Sequence, residues 1–370
     1  MTSPTPPSDR KAKGQPKGLP LGLPLGRVGI VMMSAIGDAV HVLPVLTALK
    51  RHDPSCHVTW IVQPGPASLV RGHPCVDELL LFEKARGWRA LADMRRILAT
   101  RPFDVLIDLQ VYIKAGLVTA LAHAPVKLGF DRARARDFNW LFTSRRIPPH
   151  APQHVQDQYF EFLTALGVPH EPVVWNLGPW ESEREMQRTL LAPFNQPVAT
   201  LVIGSSHAQK EWVPSRWAEL SDALHDQYGL DTLLAGGNSA REQATAAEIT
   251  RLARRPPHST LGVPLRQLVA ILDGSALVVS LDTAPLHMAV ALDRPVISLM
   301  GYNNPNRVGP YRRFHDLIVD AYGDPGERYP VSAAHRLDRM RRIQVSDVLE
   351  RVARWDASYR DRPRSASTRA

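Results

Sequence analysis

Two carboxylates stand at junctions where an apolar, strand-like segment passes into a helix-like one. Asp38 follows the segment 27–33 after a short loop, and Asp282 follows the segment 276–281 directly. In an open α/β sheet such junctions lie at the carboxyl ends of the strands, where ligands bind. Because the two junctions are far apart in the sequence, they predict two α/β domains that face each other across a cleft.

Asp38 supports two interpretations. The first is an N-cap or first-turn carboxylate, which stabilises its helix by roughly 1 kcal/mol. The second is a general base in the cleft, within reach of a substrate hydroxyl. Gly37, directly before it, permits a tight turn or the close approach of a ligand. The local pattern leaves both interpretations open.

The second junction has the features of an anion-binding helix start. Pro285 suits the first helical position, and Asp282 or Thr283 suits the N-cap. The start of the helix then presents unpaired N–H groups and the positive end of its dipole. His287 is either a group on the ligand side or a buried structural histidine.

Further loops carry groups that suit a phosphate. The candidates are Ser205, Ser206, Lys210, Gly236, Gly237 and Arg307. Lys210 offers a point charge, although a solvated surface lysine has the same signature. The glycine pair lets a ligand approach the backbone or simply makes a turn. Arg307 suits either a phosphate or a nearby acid.

Arginines interleaved with aromatic residues mark one more segment. They are Arg132, Arg134, Arg136, Arg145 and Arg146, with Phe130, Phe138 and Trp140 among them. The pattern predicts either a solvated charged loop or a docking surface for an anionic acceptor or a membrane face.

Composition and missing motifs disfavour several classes of protein. The chain has 370 residues, 44% hydrophobic and 22% charged, as expected for a globular protein of two domains. Its net charge is +9, but residues 1–26 and 358–370 each carry four basic residues and one acidic residue, so most of the net charge lies in the two terminal segments. No nucleic-acid-reading module, dinucleotide glycine fingerprint, Walker loop, nucleophile elbow or zinc pattern occurs.

The expected location follows from three observations. Cys56 and Cys75 indicate no disulfide framework and fit a reducing compartment. No apolar run reaches the length of about 18 residues that spans a bilayer, and the basic N-terminal segment lacks the apolar core of a signal peptide. We expect a cytoplasmic protein that is peripheral at the inner face of the cytoplasmic membrane.

An alternation of strand-like and helix-like segments positions the candidate residues. In the first half the predicted strands are 28–33, 58–62, 78–82, 105–109 and 127–129, and the predicted helices are 39–51, 87–100, 113–122 and 155–166. In the second half the strands are 198–203, 232–235, 276–281 and 296–300, and the helices are 215–228, 240–254, 265–272, 286–292 and 345–355. This alternation predicts parallel sheets with right-handed crossovers.

The chain resembles glycosyltransferase family 9, the ADP-heptose:lipopolysaccharide heptosyltransferases, from about Arg27 to Trp355. Four stretches carry the resemblance: Ser34-Ala35-Ile36-Gly37-Asp38 with His41-Val42-Leu43-Pro44, Asp104-Val105-Leu106-Ile107-Asp108-Leu109-Gln110 with Lys114, Lys210-Glu211-Trp212, and Asp282-Thr283 with His287. Each stretch is weak alone, and together they are specific.

The resemblance implies an α/β GT-B fold, with two Rossmann-like domains and an inverting transfer of heptose that requires no metal. The Pro- and Gly-rich composition of residues 1–26 predicts a disordered basic tail, and a break in the alternation of strands and helices predicts a linker at 176–196. The resemblance implies an acceptor-side domain at 27–175 and a nucleotide-sugar domain at 197–342. A last helix at 343–357 would pack back on the first domain, before a basic tail at 358–370.

Site roles follow from the same resemblance. Asp38 is the implied general base, and Lys210 stabilises the ADP leaving group together with the helix start at Asp282 and Thr283. The implied donor-binding residues are Ser205, Ser206, Lys210, Gly236, Gly237, Asp282, Thr283, Ala284, His287 and Arg307. The implied acceptor-binding residues are Gly37, Gln110, Lys114, Arg132, Arg134 and Arg136. The implied partners are the nucleotide-sugar donor and an anionic, lipid-linked or oligosaccharide acceptor.

Two departures from the family pattern bear on the donor. Ala284 stands where the family usually has glycine, and the segment from Gly301 to Pro305 reads Gly-Tyr-Asn-Asn-Pro where Gly-Pro-Thr is more frequent. The alternatives are a GT-B epimerase or hydrolase, a transferase of another nucleotide sugar, and a non-catalytic binding relative. Asp38 together with Lys210 argues against the last.

Overall fold

The computed structural model describes residues 25–362. Of the basic tails predicted at 1–26 and 358–370, the parts 1–24 and 363–370 lie outside the described residues. The first half of the described chain forms a six-stranded parallel sheet in the order β3-β2-β1-β4-β5-β6. Its strands are Arg27–Val31 (β1), His57–Val62 (β2), Glu78–Leu81 (β3), Val105–Asp108 (β4), Val126–Gly129 (β5) and Arg145–Arg146 (β6).

The second half of the described chain repeats this arrangement. Its parallel sheet has six strands in the order β12-β11-β10-β7-β8-β9. They are Val198–Val202 (β7), Asp231–Ala235 (β8), His258–Ser259 (β9), Leu277–Leu281 (β10), Val296–Met300 (β11) and Ile318–Asp320 (β12). In each sheet the strand order reverses at the centre, between β1 and β4 and between β7 and β10. Such a switch point opens a crevice beyond the carboxyl ends of the strands.

Helices cover the sheets. They are Ile36–His52 (α1), Pro64–Val70 (α2), Trp88–Leu98 (α3), Ile113–Leu121 (α4), Val155–Leu166 (α5), Arg184–Leu191 (α6), Pro214–Tyr228 (α7), Ala240–Leu252 (α8), Leu265–Gly274 (α9), Ala284–Ala291 (α10), Pro305–Val308 (α11) and Val345–Ser358 (α12). The central strands β7 and β10 are buried along their whole length and are mostly apolar, because both faces of the sheet are covered.

Helix α1 is buried along most of its length. Residues 39–49 are all buried, which sets α1 apart from an amphipathic surface helix with one apolar stripe. The reason is its position, because it packs on α5 of the first half and on α10 of the second half. This helix therefore joins the two halves of the molecule and lies beneath the crevice.

The predicted strands and helices of both halves are present with small shifts of their ends. The expected packing of the last helix is wrong, because α12 packs on α7, β11 and β12 of the second half. The Arg351 side chain donates to the Ile318 carbonyl there, and the Tyr359 hydroxyl donates to Asp316. Residues 358–362, which we assigned to a tail, therefore continue the folded part.

Some elements escaped the sequence analysis. The stretch 176–196, interpreted as a linker, contains α6, which packs on α9 of the second half. The α6 residue Arg184 pairs with Asp273 at 2.7 Å, and Gln187 donates to the same carboxylate at 2.8 Å. Helices α2 and α11 and the edge strand β12 were also missed, because their short patterns do not stand out from loops.

Candidate active site

A cavity of about 710 Å³ lies between the two halves at their switch points. Its wall is formed by the loops after β1, β7, β8 and β10 together with helix α11. From the predicted site it brings together Gly37, Asp38, Ser205, Ser206, Lys210, Gly236, Gly237, Asp282, Thr283, Ala284, His287 and Arg307. The base side and the phosphate side of the predicted site therefore meet in one space.

Asp38 occupies the third position of α1, since the helix begins at Ile36 and not at Ala39 as predicted. Its Oδ2 accepts a hydrogen bond from the Ala35 N–H at 2.9 Å, and its Oδ1 accepts one from the Tyr159 hydroxyl at 3.3 Å. The capping interpretation of Asp38 is thus confirmed by contact. The same carboxylate lines the cavity, so capping does not remove it from the site.

The surroundings of Asp38 suit a base. Burial raises the pKa of its carboxyl, while the hydrogen bonds from Ala35 and Tyr159 and the nearby Arg307 charge act in the opposite direction. The net direction is upward, which makes the carboxylate a stronger base than an exposed aspartate. Both hydrogen-bond donors favour the ionised form that a base must have.

Lys210 lies on the opposite side, in contact with Asp282. Its Nζ is 2.9 Å from the Asp282 carboxylate and donates to the Asp282 carbonyl oxygen at 3.1 Å. The Asn303 Nδ2 donates to the same carboxylate, and the side-chain Oδ1 of Asn303 contacts His335 Nδ1 at 2.7 Å. Asp282 therefore orients the lysine at the cavity wall, and its own carboxylate is already paired.

The start of α10 meets the start of α1 across the cavity. Thr283 is the N-cap of α10 and makes no side-chain cap hydrogen bond. A Cβ at Gly37 would lie 3.7 Å from Ala284 Cα and 3.3 Å from His287 Cδ2. Two helix N-termini thus approach each other, and their dipoles favour an anion between them. The close approach explains the glycine at position 37.

Two buried histidines, His41 and His287, and the half-buried His154 lie together at this contact. The ring centroids of His41 and His287 are 4.3 Å apart, and His154 lies 5.9 Å from His41. Burial lowers the pKa of His154 to about 4 and that of His287 to about 3, and neighbouring positive groups act in the same direction. These rings are therefore neutral at pH 7. For His287 both interpretations hold, since it is buried and lines the cavity.

A hydrogen-bonded amide determines the tautomer of His41. The Gln156 Nε2 donates to the His41 carbonyl oxygen at 2.8 Å, so the Gln156 Oε1 faces His41 Nδ1 at 3.0 Å. His41 Nδ1 must then carry the proton, because an amide oxygen only accepts. Its Nε2 consequently presents a lone pair.

The glycine pair seats a carboxylate that sequence reasoning missed. Glu242 accepts hydrogen bonds from the Gly237 N–H at 2.7 Å and from the Ser239 hydroxyl at 2.6 Å. A Cβ at Gly204 would lie 2.1 Å from Glu242 Oε1, so these glycines give the carboxylate room. Burial acts to raise the Glu242 pKa, but these hydrogen bonds lower it below its ordinary value. The spacing Ser239-x-x-Glu242 signals a capping box, which by itself points to no cavity.

The predicted acceptor-side residues mostly lie away from the cavity. Gln110 accepts from the Met33 N–H and donates to the Ser34 carbonyl oxygen, so it braces the loop before Asp38. Arg134 is half-buried and forms ion pairs with Asp131 and Glu161. Lys114, Arg132 and Arg136 do not line the cavity. Of the acceptor-side set, Gly37 is the residue that the structure brings into it.

Tyr159 and Asn303 are two further residues of the site that the sequence analysis did not single out. Tyr159 lies in the predicted helix 155–166, 121 positions from the aspartate that it contacts, and carries no local signal. Asn303 belongs to the loop that departs from the family pattern. In residues 25–362 no group of three or more histidine, cysteine, aspartate or glutamate side chains is arranged to hold a metal ion. No helix in that range could cross a bilayer.

The fold and the site define a class of protein. Two Rossmann-like halves enclose a cavity with a carboxylate on one side, and a lysine and helix amides on the other. This is the architecture of a GT-B glycosyltransferase, in which a base acts on an acceptor hydroxyl and positive groups bind a nucleoside diphosphate.

Comparison with known proteins identifies the family. Residues 91–325 match the model of glycosyltransferase family 9 (heptosyltransferase), and the chain belongs to that family. It is 29% identical over 300 residues to the lipopolysaccharide core heptosyltransferase OpsX of Haemophilus influenzae, covering 81% of this chain and 85% of that protein. It is 30% identical over 301 residues to lipopolysaccharide heptosyltransferase 1 of Pseudomonas aeruginosa, covering 78% and 82%.

A solved structure extends the likeness to the fold. E. coli heptosyltransferase WaaC with ADP-2-deoxy-2-fluoro heptose has a TM-score of 0.65 and 25% sequence identity, covering 89% of this chain and 99% of that chain. The predictions of family, of GT-B fold and of a transferase activity are thereby confirmed.

Proposed function

We propose that this enzyme transfers a heptose from ADP-heptose to an acidic sugar of the lipopolysaccharide core or a related surface glycan, with inversion at the anomeric carbon. The observation that carries the proposal is the cavity in which Asp38 faces Lys210 and the start of α10. The names of the relatives, which are lipopolysaccharide heptosyltransferases, support the donor and the acceptor class.

On the acceptor side, Asp38 takes the proton of the attacking hydroxyl. The oxygen then forms a bond to the anomeric carbon on the face opposite to the leaving group, which gives inversion. The Tyr159 and Ala35 hydrogen bonds hold the Asp38 carboxylate ionised and oriented before the reaction. Burial makes the ionised carboxylate a better proton acceptor, as general base catalysis requires.

On the donor side, the bond between the anomeric carbon and the β-phosphate oxygen breaks, and ADP leaves with the electron pair. Lys210 Nζ and the positive end of the α10 dipole stabilise the charge that develops on the diphosphate. Because these groups supply positive charge at the cavity wall, we expect transfer without added divalent metal. Glu242, in the first turn of α8, is placed to accept hydrogen bonds from ribose hydroxyls.

The test begins with the nucleotide. Calorimetry with ADP, UDP and GDP, without metal, should show the tightest binding for ADP. Tighter binding of UDP or GDP would contradict the donor assignment and direct attention to Ala284 and the Tyr302–Asn304 loop.

The second step of the test is transfer itself. ADP-heptose and a core acceptor that lacks heptose should give a heptosylated product with inverted anomeric configuration by NMR. Consumption of ADP-heptose at an equal rate without acceptor would instead favour a hydrolase or epimerase. The expected cytoplasmic location and membrane contact stay predictions.

A further inference from the structure

Four large apolar side chains lie exposed on one surface of the first half, and we call them the apolar patch. They are Tyr112, Ile113, Phe138 and Leu141, with exposed fractions of 50%, 40%, 67% and 59%. The other exposed large apolar side chains of the described residues are Leu81, Trp88, Val213, Leu252 and Leu337, which come from separate elements. A cluster of this kind on a folded surface marks an interaction site more often than scattered residues do.

The apolar patch is built on a packed support. Its two segments are the start of α4 and the short 3-10 helix Asn139–Phe142, which pack against each other. The Asn139 side-chain amide donates to the Tyr112 carbonyl oxygen at 3.0 Å, and the Phe142 ring fills the space above Gly116. The exposure of the patch therefore follows from the fold, with its backbone held in place.

Cations without carboxylate partners surround the patch. Arg132 stacks over the Trp140 ring at 4.2 Å, and Arg136 lies 5.9 Å from the Tyr112 ring centroid. Lys114 lies one residue beyond Ile113 on α4. None of these three forms an ion pair with a residue of the described range, whereas Arg134 between them is paired with Asp131 and Glu161. The surface thus presents positive charge beside apolar and aromatic side chains.

The patch lies on the same edge of the first sheet as the cavity. It follows the carboxyl end of β4, which neighbours β1, and Gln110 joins the two ends by hydrogen bonds to Met33 and Ser34. A molecule held at the patch is therefore near the loop that leads to Asp38.

We propose that this surface docks on an anionic lipid bilayer. The apolar patch enters the headgroup region, while Arg132, Arg136 and Lys114 bind lipid phosphates. Aromatic residues beside basic ones suit such an interface, because the rings have an apolar body and the cations remain hydrated. The inference extends the proposed function, since it names the surface that meets a lipid-linked acceptor, but docking itself needs neither donor nor acceptor.

The test is sedimentation of the full chain with lipid vesicles, without donor or acceptor. We expect binding to vesicles of phosphatidylcholine mixed with phosphatidylglycerol, and weak binding to phosphatidylcholine alone. The double variant Phe138→Asn/Leu141→Ser should weaken partition by about tenfold, because it removes the two most exposed side chains of the apolar patch. Asparagine tolerates the left-handed backbone of position 138, where φ is 60°, so the fold is not strained.

A second variant tests the charges. Arg132→Gln/Arg136→Gln should lower partition into anionic vesicles on the order of tenfold, with less effect on neutral ones. The matched controls are Leu337→Ser and Arg341→Gln on the second half, where Leu337 is 63% exposed and the Arg341 side chain 82%. These controls should bind vesicles as the unchanged chain does.

Three results would overturn the proposal. They are no vesicle binding by the unchanged chain, equal losses in patch and control variants, and unchanged binding in both patch variants. If the arginine variant instead raised KM for a short, lipid-free acceptor and left vesicle binding unchanged, the surface would belong to the acceptor. Failure of heptose transfer would leave the vesicle result standing, so the two proposals are separable.

Discussion

The two strand–loop–helix units that meet across the cavity have the same construction, but their aspartates have different hydrogen-bond partners. In both units, β1–α1 and β10–α10, a strand at the switch point of its sheet leads into a helix. Both units carry an aspartate near the start of that helix. Asp38 is bound by a backbone N–H and a tyrosine hydroxyl, which are neutral donors. Asp282 is bound by a lysine and an asparagine amide.

The difference teaches that the partners of a carboxylate decide its chemistry, more than its local motif does. At the first unit the negative charge remains available to a substrate proton, because no cation is bound to it. At the second unit the carboxylate orients a cation, and the uncapped helix start faces the cavity. The pair of units therefore gives the cavity a basic end and an anion-binding end.

The sharpest way to break this comparison is Asp38→Asn. If the carboxylate is the base, transfer should fall by roughly 100-fold or more while ADP affinity stays nearly unchanged. Initial rates and calorimetry measure the two quantities. Asp347→Asn is the matched control, since Asp347 accepts from the Gln344 N–H at the third position of α12, away from the cavity. Equal losses in both variants would mean that Asp38 acts through helix capping alone.

The second unit is tested by Lys210→Gln. Loss of the charge should weaken ADP binding by about tenfold to a hundredfold, the range expected for a hydrogen bond between charged groups. Calorimetry with ADP measures it. Lys50→Gln removes a similar lysine–aspartate pair, with Asp77, in the first half and should leave ADP affinity unchanged. If Lys210→Gln bound ADP normally, the lysine would have no part in holding the diphosphate.

Tyr159→Phe sharpens the account of the first unit. Removing the hydroxyl should slow transfer about threefold to tenfold, because Asp38 loses one hydrogen bond to its ionised form. The Asp38 pKa should rise further, so the acid limb of the kcat/KM profile should move to higher pH. Tyr311→Phe, which removes a hydroxyl bound to Asp157 instead, should leave that limb in place. An unshifted limb in Tyr159→Phe would separate the tyrosine from the titrating group.

The smallest expected effect concerns the histidines where the units meet. The pKa of His154 is about 4 in the folded protein and is ordinarily 6.5. Between pH 6.5 and pH 4, His154 binds a proton in the unfolded chain but not in the folded chain. The free energy of unfolding is therefore highest above pH 6.5 and decreases as the pH falls toward 4. Each such histidine lowers the free energy of unfolding by at most about 1.4 kcal/mol per pH unit in that pH range. The melting temperature should therefore fall from pH 7 to pH 5.

The variant His154→Asn tests this origin of the pH dependence. Asparagine retains an N-cap side chain for α5 but does not titrate, so the fall in melting temperature between pH 7 and pH 5 should be smaller. His150→Asn, at an exposed histidine four residues earlier, should leave the slope as it is. An unchanged slope in His154→Asn would assign the acid sensitivity to other groups.

Some site features were readable from the sequence because they are local. Asp38 and Asp282 stand at strand–helix junctions, and parallel sheets bring such junctions to one edge. The partners were not readable, since Tyr159 lies 121 positions from Asp38 and Lys210 lies 72 positions from the Asp282 that holds it. The arginine run illustrates the same limit, because its spacing does not reveal that Arg134 turns inward to Glu161 while its neighbours remain at the surface.

The sequence by itself determined the two parallel sheets, the family and the loops that carry the chemistry, because hydrophobic periodicity and short motifs act over a few neighbouring residues. The tertiary structure alone decided that the last helix stays on the second half, that the glycine pair seats Glu242 and that Lys210 is held by Asp282. It also decided which exposed side chains gather into one patch. These outcomes depend on contacts between distant segments, and such contacts are set by the packing of whole elements, which no local pattern encodes.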